Sequence, residues 1–582
     1  MRNAAISGRV GTTAAVVLVA LCALTACVSG DGAASGAAGT SPLGGTGGTG
    51  ASADMYGSLP GTGGTGAGMS ASAFGGAGGG YTATGGTGAS APAPSNTNVS
   101  LGGAQDFGQF RSQLAAGQVP RLGTFDAAGF FAEHHTALPK PDCGERVCLQ
   151  AMLGVLGSLM NGQNCTMLQL GLNSPIAADA SQRPPLRLAV VVDVSGSMEA
   201  GNKIGFVRQG LGLLIDGMQD DDELALITYS DQAKVLAAMG EVRLRRAELR
   251  ALAQGLVAGG GTNLHDGLQL GYRELVRGYD SGRQNRAILL SDGQPTAGIT
   301  GEDEIMQMSR GYNSDGIGLS TIGLGEDFNT ALMRGLAEQG DGNGYFLEDS
   351  GAVNEVFTEE LSYFTVPVAF DLQLEVDPGP YYTLRGAYGS SFWKDTASGG
   401  VLDVPSVFLA HRESADDVTV DGGRRGGGSA LMLELGPTVK KDDGSGVTEA
   451  VVATVNVSFR EPGSDRIVTD RVDVHFPMAP WVTPTRGFFD SPDLPIVQKS
   501  FVMLNIYVAF ETASANYYSG EPTAALEVVE RVIAGVEDYN NEVADTDIEY
   551  DLVMLRDLRA LLASEVMPVA PAPLPEDPWP AD

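Results

Sequence analysis

The chain has 582 residues, and its 70 acidic against 36 basic side chains give a formal net charge of -34. A protein this acidic will not bind nucleic acid through a general phosphate-neutralising surface. Its length permits several domains and a large hydrophobic core.

The first residues have the layout of a secretion signal, in which Arg2 and Arg9 precede an apolar run and small residues lead to Cys27. This pattern resembles a bacterial lipoprotein signal, whose cleavage leaves Cys27 as the lipidated N-terminus. The alternative is an ordinary signal peptide over residues 1–26 with a chance cysteine. The apolar run is too short for a standard transmembrane helix, so we expect a lipid-anchored protein of the bacterial cell envelope. Val28 rather than Asp follows Cys27, which by analogy favours the outer membrane in a Gram-negative cell; the side that the protein faces stays open.

Residues 27–103 are predicted to be a disordered, Gly-rich tether. About a third of them are Gly, most of the rest are Ala, Ser and Thr, and none is Lys or Arg. Such a segment cannot bury enough apolar surface to offset its ordering entropy. We expect it to hold the folded part of the chain clear of a membrane surface.

Residues 104–185 are predicted to fold as two helices and a β-hairpin. The helices are Phe107–Ala116 and Asp126–His135, and the strands Val147–Met160 and Thr166–Leu172 flank the turn Asn161-Gly162. His134 and His135 are adjacent, so on a helix they point about 100° apart. We interpret them as surface or packing residues rather than a joint metal site.

Three cysteines remain after signal cleavage, Cys143, Cys148 and Cys165, in an export compartment that permits disulfides. Because three is odd, one thiol is expected to be free or paired with another chain. The hairpin register places Cys165 near Met160 and far from Cys148. A local Cys143–Cys148 disulfide is therefore favoured, although the pairing among the three cysteines stays open.

Residues 186–364 alternate strand and helix. Leu186–Val192 is a continuous apolar run, as expected for a buried parallel strand, and apolar residues from Ile204 to Met218 have helical spacing. Further strands are predicted at Leu224–Tyr229, Lys234–Ala238, Ala287–Leu290 and Leu319–Gly323, and a further helix at His265–Val276. The pattern predicts an α/β fold with a doubly wound, mostly parallel sheet.

The remainder of the chain changes character twice. Residues 365–480 predict an antiparallel β-sandwich from the alternating runs Ala369–Val376, Leu431–Leu435, Ala450–Phe459 and Ile467–Phe476. Residues 481–567 predict a helical region with helices at Val497–Tyr518, Glu521–Asn540 and Asp547–Ala563. Residues 568–582 are Pro-rich and are expected to be disordered.

Five oxygen-bearing residues in three separated segments stand at predicted strand ends or helix starts. Asp193, Ser195 and Ser197 follow the first apolar strand, Thr262 lies in a Gly-rich loop, and Asp292 ends another strand. Doubly wound sheets bind ligands outside the carboxyl ends of their strands. Two carboxylates and three hydroxyls are hard ligands suited to Mg²⁺ or Mn²⁺, so we predict one exposed metal site.

The stretch Asp193-Val194-Ser195-Gly196-Ser197, together with Thr262 and Asp292, resembles the metal-ion-dependent adhesion site of von Willebrand factor type A (VWA) domains. The resemblance covers residues 186–364 and departs from the pattern at none of the five positions. It implies that the two serines and the threonine coordinate the ion directly and that the aspartates bind directly or through water. It further implies that an Asp or Glu of a partner protein completes the coordination.

The wider layout resembles a bacterial family of VWA lipoproteins, in which an N-terminal segment precedes the VWA domain and a C-terminal region of unknown function follows it. Phe107–Val119 and Leu168–Leu172 resemble the former, and Asp371–Gly389 and the helices after Phe501 resemble the latter. This resemblance adds architecture more than function. Gln294, Thr296 and His265 lie in the metal-site loops and could shape specificity, although a helix-start role without ligand contact is favoured for His265.

We therefore expect a non-enzymatic, envelope-anchored module that binds a partner carboxylate through Mg²⁺, with its oligomeric state open. The alternative is a structural envelope lipoprotein in which the ion only stabilises the VWA loops. A hydrolase is disfavoured, because Gly-x-Ser-x-Gly is absent around Ser195 and no carboxylate clearly orients His265. Cooperation with a cytoplasmic AAA+ ATPase is disfavoured by export.

Overall fold

The structure, a computed structural model, describes residues 96–176, 183–325, 328–347, 349–360, 367–410, 412, 424–441, 444–489 and 494–566. The predicted signal peptide, Cys27, the tether up to residue 95 and the Pro-rich ending lie outside these residues. Lipidation of Cys27 and disorder of the tether and tail stay predictions.

The strands of the described residues fall into two sheets. They are β1 (Thr97–Ser100), β2 (Gly103–Ala104), β3 (Cys148–Gly157), β4 (Asn164–Ser174), β5 (Leu186–Asp193), β6 (Glu223–Tyr229), β7 (Ala233–Glu241), β8 (Gln284–Ser291), β9 (Gly318–Leu324), β10 (Asn343–Leu347), β11 (Pro367–Pro378), β12 (Tyr382–Tyr388), β13 (Trp393–Asp395), β14 (Gly400–Leu409), β15 (Ala430–Pro437), β16 (Ala450–Arg460), β17 (Ile467–Phe476) and β18 (Phe488–Phe489).

The helices of the described residues cover both faces of one sheet and one face of the other. They are α1 (Gly108–Ala115), α2 (Ala127–Ala132), α3 (Lys203–Gly217), α4 (Val242–Gln254), α5 (Leu264–Val276), α6 (Glu302–Asn313), α7 (Thr330–Gln339), α8 (Ser350–Asn354), α9 (Leu494–Tyr518), α10 (Pro522–Val543) and α11 (Thr546–Glu565). A 3₁₀ turn spans Gly196–Asn202, and a π-helical turn spans Glu355–Glu360. None of the helices in the described ranges combines the length and apolar character that a membrane crossing requires.

The first sheet has the strand order β2-β10-β9-β8-β5-β6-β7, and its strands are parallel except for β7. The interior strand β5 is buried along its whole length because helices cover both of its faces. Val190 and Val192 share a core with α3 and α4, whereas Ala189 and Val191 share a core with α5. A continuous apolar run is the sequence pattern of such a strand. The predicted α/β class and mostly parallel sheet are confirmed.

The direction of chain growth reverses at β5. The chain adds β6 and β7 on one side of β5, and then adds β8, β9 and β10 on the other. The carboxyl ends of β5 and β8 are therefore neighbours at a topological switch point, where sheets of this kind bind ligands.

The second sheet is antiparallel, with the order β12-β15-β4-β1-β14-β11-β16-β17; β3 pairs with β4 and β18, and β13 pairs with β14. Its two halves share one hydrophobic core, which contains Leu168 and Leu170 of β4 together with Val404 and Val455 of the other half. The strands β1, β3 and β4 belong to the N-terminal part of the chain. Residues 104–185 and 365–480 thus build one sheet together instead of folding as separate units, because each supplies strands that the other needs as neighbours.

A helical layer covers the outer face of β3, β4 and β15. Met167 and Met432 on that face join a core formed with α9, α10, α11, α1 and α2. The aromatic rings of Phe110 and Phe510 lie 4.5 Å apart between centroids, which ties the N-terminal α1 to the C-terminal α9. The extra antiparallel sheet and the C-terminal helices agree with the predicted architecture.

His134 and His135 do not lie on the surface. The helix predicted to run through His135 ends at Ala132, and the two histidines are only 1% and 7% exposed. His134 Nε2 lies 2.7 Å from Asp551 Oδ2, and His134 Nδ1 lies 2.7 Å from the Phe130 carbonyl oxygen. Of the two roles expected for these histidines, packing is the one observed, because α11 covers this turn through Asp547 and Asp551. Helical spacing cannot reveal such a long-range contact.

The hairpin register differs from the prediction. The strands end at Gly157 and begin again at Asn164, so Cys165 pairs with Leu156 and Met160 lies in the turn between the strands. The turn between the strands packs against α9, where Asn505 Oδ1 accepts a hydrogen bond from the Leu159 N–H at 3.0 Å. Cys143 and Cys148 are joined by a disulfide with their Cα atoms 5.7 Å apart, and Cys165 is a buried free thiol.

Candidate metal site

Asp193 occupies the carboxyl end of β5 and is fully buried. Its Oδ1 accepts a hydrogen bond from the Ser195 N–H, and its Oδ2 accepts one from the Ser291 hydroxyl, both at 2.8 Å. Burial raises the pKa of this carboxyl above its ordinary value, and hydrogen bonds from Ser195 and Ser291 oppose that shift. The side chain is thereby fixed in orientation by both strands that meet at the switch point.

Ser195 and Ser197 lie where β5 passes into the 3₁₀ turn. Their hydroxyl oxygens are 3.0 Å apart, which is the distance expected of two donors to one ion or of a hydrogen bond. Ser195 is buried, whereas Ser197 is exposed. The pair therefore runs from the interior of the site to its solvent side.

Main-chain hydrogen bonds bring the Thr262 loop against the Ser195 loop. Gly196 N–H donates to the Gly260 carbonyl at 3.0 Å, and Gly259 N–H donates to the Val194 carbonyl at 2.8 Å. Gly260 has φ +91°, and a Cβ there would lie 2.7 Å from Asp231 Oδ2, so the close approach requires glycine. The Gly-rich sequence before Thr262 thus has a local structural reason.

Asp292 follows β8 and supplies the second carboxylate. Its Oδ2 lies 3.2 Å from Lys203 Nζ, while its Oδ1 is buried and has no hydrogen-bond partner among the described residues. A buried carboxylate oxygen without a partner is costly, so this atom is a reason to expect a cation beside it. The donor set of two carboxylates and three hydroxyls fits a hard divalent ion.

Lys203, Ser291 and Tyr229 also belong to the site, although the sequence analysis did not single them out. The Tyr229 hydroxyl donates to Ser291 Oγ at 2.8 Å, and Ser291 in turn donates to Asp193. Burial and the nearby carboxylates raise the pKa of Tyr229 well above its ordinary value, so it remains a neutral donor. Of these three residues, only Ser291 could have been suspected from the sequence, because it adjoins the predicted ligand Asp292.

The loop residues considered for specificity take different positions. Thr296 Oγ1 accepts the Thr262 N–H at 3.0 Å, which positions the Thr262 loop, and Gln294 is exposed. His265 is buried, with Nδ1 3.2 Å from Asp266 Oδ1. The sequence analysis had found no carboxylate to orient His265; Asp266 is one, next to it at the start of α5.

The described residues contain no group of three or more His, Cys, Asp and Glu side chains arranged to hold a metal ion. The set assembled here differs in kind, because three of its five donors are hydroxyls. All five predicted residues stand on the three loops that meet at the ends of β5 and β8.

Comparison with known proteins identifies the α/β part of the chain. Residues 188–359 match the von Willebrand factor type A domain family. The chain is 28% identical over 202 residues to the uncharacterized protein YfbK of Escherichia coli, which covers 34% of this chain and 35% of YfbK. It is 29% identical over 210 residues to inter-alpha-trypsin inhibitor heavy chain H4 of Bos taurus, covering 34% and 22% respectively.

The chain spans about a third of the length of the curated bacterial relative YfbK and less of the mammalian one. Among solved structures, a von Willebrand factor type A protein from Catenulispora acidiphila superimposes with a TM-score of 0.46 at 15% identity, covering 71% of this chain and 89% of that one.

Proposed function

Because the chain contains a VWA domain, a type of domain that commonly mediates protein–protein interaction, we propose that it binds a partner protein through Mg²⁺ or Mn²⁺. Asp193, Ser195, Ser197, Thr262 and Asp292 would hold the ion. When bound, the ion supplies an electrophilic position that an Asp or Glu carboxylate of the partner can occupy. The observation that carries the proposal is the buried, unpartnered Asp292 Oδ1 at the end of β8, the strand next to the one whose end carries the paired serine hydroxyls.

The charge balance of the donors supports carboxylate capture. Lys203 already pairs with Asp292, and both carboxylate oxygens of Asp193 accept hydrogen bonds, one from Ser195 and one from Ser291. The three hydroxyls bring no charge, so these residues would leave much of a divalent ion's charge uncompensated. An acidic partner group then binds favourably even to a protein with a net charge of -34.

The way the loops are joined favours binding over a purely structural role for the ion. Main-chain bonds link Val194 to Tyr229, Gly196 to Gly260 and Gly259 to Val194 at 2.8 to 3.0 Å. These bonds hold the loops together without any metal ligand. We therefore rank partner capture above the alternative in which the ion only stabilises the loops.

We further propose that the protein is attached to the bacterial envelope by a lipid on Cys27, at the outer membrane if the cell is Gram-negative. The support is the basic, apolar and small-residue order of the first 27 residues. Metabolic labelling with radioactive palmitate should label the wild type and not Cys27→Ser. Equal labelling of the two proteins would contradict a lipid at this residue.

Partner capture is tested by pull-down from envelope extracts with Mg²⁺ or with EDTA, using wild type and Asp193→Ala. We expect a partner that is retained by wild type in Mg²⁺ and lost in EDTA or with Asp193→Ala. The matched control is Asp470→Ala, which removes an exposed carboxylate far from the site on β17. Capture that persists with both EDTA and Asp193→Ala would show that the site is not the interface.

The structural alternative makes a different prediction for the same samples. If the ion only stabilises the loops, EDTA lowers the thermal unfolding temperature of the wild type and no captured partner depends on the metal. Loss of a partner in EDTA without an accompanying fall in that temperature would rule the alternative out.

A further inference from the structure

A second concave site lies away from the metal loops. It is an open cleft of about 650 Å³ between α7 of the VWA domain, the start of α2, the strands β12 and β13, and α9. Its walls thus combine the VWA domain, the second sheet and the helical layer. The size is that of a site for a small molecule.

The cleft is lined by more acidic than basic groups. The acidic lining residues are Asp126, Glu338, Asp395 and Glu511, against Arg334 and Arg385. Arg334 is shared, since it lies 2.8 Å from Asp126 and 3.6 Å from Glu338. Arg385 is drawn toward Glu434, 3.8 Å away, outside the lining. The charge that remains unmatched in the cleft is therefore negative.

Glu511, on the α9 wall of the cleft, is an acidic group without a basic partner among the described residues. Its Oε1 accepts a hydrogen bond from the Tyr507 hydroxyl at 2.7 Å, and among the described residues no basic side chain forms an ion pair with it. Burial and the nearby Asp126 carboxylate raise the pKa of Glu511 to about 7. Burial likewise raises the pKa of Glu338.

Aromatic rings stand beside these carboxyls. Tyr388 and Tyr507 line the cleft with their ring centroids 6.2 Å apart in an edge-to-face arrangement, and Trp393 lines it at β13. Aromatic faces attract cations, and a carboxylate beside them supplies the opposite charge. Aromatic rings and unmatched carboxylates together are the chemistry that recognises an ammonium group.

We propose that this cleft binds a small ligand bearing a primary ammonium group, with Glu511 and Glu338 as its anionic partners and Tyr388 and Tyr507 along its side. The site is separate from the metal loops and does not depend on the proposed function. An anionic ligand is disfavoured by the unmatched negative charge, and a neutral polyol would leave that charge in place.

Binding of the cation should displace the proton that Glu511 carries near neutral pH. The titratable and charged groups that line the cleft with Glu511 are Tyr507 on its own helix, Asp126 at the start of α2, Arg334 and Glu338 on α7, Arg385 and Tyr388 on β12, and Asp395 on β13. Of these, Glu338 is the other carboxyl whose pKa burial raises. Affinity should therefore rise as pH increases through neutrality.

The test uses 1,5-diaminopentane as probe and 1,5-pentanediol as its neutral isostere, followed by calorimetry and tryptophan fluorescence at roughly physiological ionic strength to screen diffuse attraction. We expect saturable binding of the diamine to wild type, stronger at pH 8 than at about pH 6, and no binding of the diol. Glu511→Gln keeps the shape of the neutral side chain and should weaken diamine binding about tenfold or more while removing most of its pH dependence.

Three further variants complete the experiment. Glu338→Gln, at the partly exposed rim, should also weaken the diamine, whereas Glu248→Gln on the exposed face of α4 and Asp193→Ala at the metal loops should not. The proposal is overturned if the diol binds as well as the diamine, or if Glu511→Gln and Glu248→Gln change affinity equally. The first result would point to a polyol and the second to diffuse attraction by an acidic surface.

Discussion

Lys203 is the residue at which the metal site departs most from a simple set of oxygen donors. Its ammonium lies 3.2 Å from Asp292 Oδ2, with only 15% of the side chain exposed. The lysine thus neutralises part of the negative charge of Asp292 that would otherwise attract a metal ion. Its position depends on the packing of α3, so the residue can lower metal affinity without being a ligand.

Replacing Lys203 by Met should raise the affinity for Mg²⁺ or Mn²⁺ several-fold. Methionine keeps the length of the side chain but removes a positive charge close to the ion, and Asp292 gains a free oxygen. Calorimetric or Mn²⁺ spectroscopic titration measures the change. Lys234→Met, at an exposed position of β7, is the control and should leave affinity unaltered. Equal or weaker binding by Lys203→Met would show that the lysine does not compete with the ion.

At the scale of elements, a buried ionic cluster joins the turn after α2 to α9 and α11. Lys499 Nζ lies 2.8 Å from Asp547 Oδ2, and Arg412 lies 2.7 Å from Asp547 Oδ1. These cations hold the pKa of Asp547 well below its ordinary value despite burial, and Arg111 does the same for Glu133, whose pKa falls to about 2. Burial and the neighbouring Lys499 lower the pKa of His135 to about 4.

Acid should therefore destabilise the fold in two steps. His135 is neutral in the folded protein, so its contribution is complete above its unfolded pKa near 6.5 and is lost as pH falls toward 4. Glu133 contributes above pH 4.5, and its share is lost as pH falls toward 2. The first step corresponds to about 3 kcal/mol at most.

The variant His135→Gln isolates the first step. Urea unfolding at pH 7, 5.5 and 4 should show a flatter decline in the free energy of unfolding for His135→Gln than for the wild type. His475→Gln, on β17 of the second sheet, is the matched control and should decline as the wild type does. If the free energy of unfolding of His135→Gln falls with pH as steeply as that of the wild type, the acid sensitivity belongs to other groups.

At the scale of the whole molecule, Arg425 connects the two sheets. It comes from the chain between β14 and β15, and its guanidinium pairs with Glu355 of the VWA domain and with Asp106 near β2. It also donates to the Phe346 carbonyl oxygen at the end of β10 at 3.0 Å. All three charged side chains are buried, so the contact couples the VWA domain to the rest of the fold.

Arg425→Met should lower the free energy of unfolding by about 3–5 kcal/mol, because Glu355 and Asp106 would remain buried without their cation. The loss should also separate unfolding of the VWA domain from that of the second sheet, giving two transitions in calorimetry. Arg471→Met removes an exposed arginine on β17 and should change stability little. A single, unshifted transition for Arg425→Met would show that other contacts couple the two parts.

The sequence determined the parts of this protein that depend on local pattern. A strand that is apolar at every position is stable only when both of its faces are buried, so β5 and its parallel neighbours were predictable. The three long C-terminal helices were predictable from the helical spacing of their apolar residues. The placement of Asp193 and Asp292 at neighbouring strand ends was predictable because each ends or follows such a run, and the end of a parallel strand is a fixed place in the fold. Metal binding by the five candidate residues stays a prediction.

Only the tertiary structure decided what depends on distant contacts. It placed β1, β3 and β4 in one sheet with the strands after residue 367, buried His134 and His135 under α11, and packed the turn of the β3–β4 hairpin against Asn505. It also set Lys203 against Asp292 and assembled the cleft around Glu511. Each of these features joins segments far apart in the chain, and no local periodicity records which distant side chain will satisfy a buried charge or an unpaired strand.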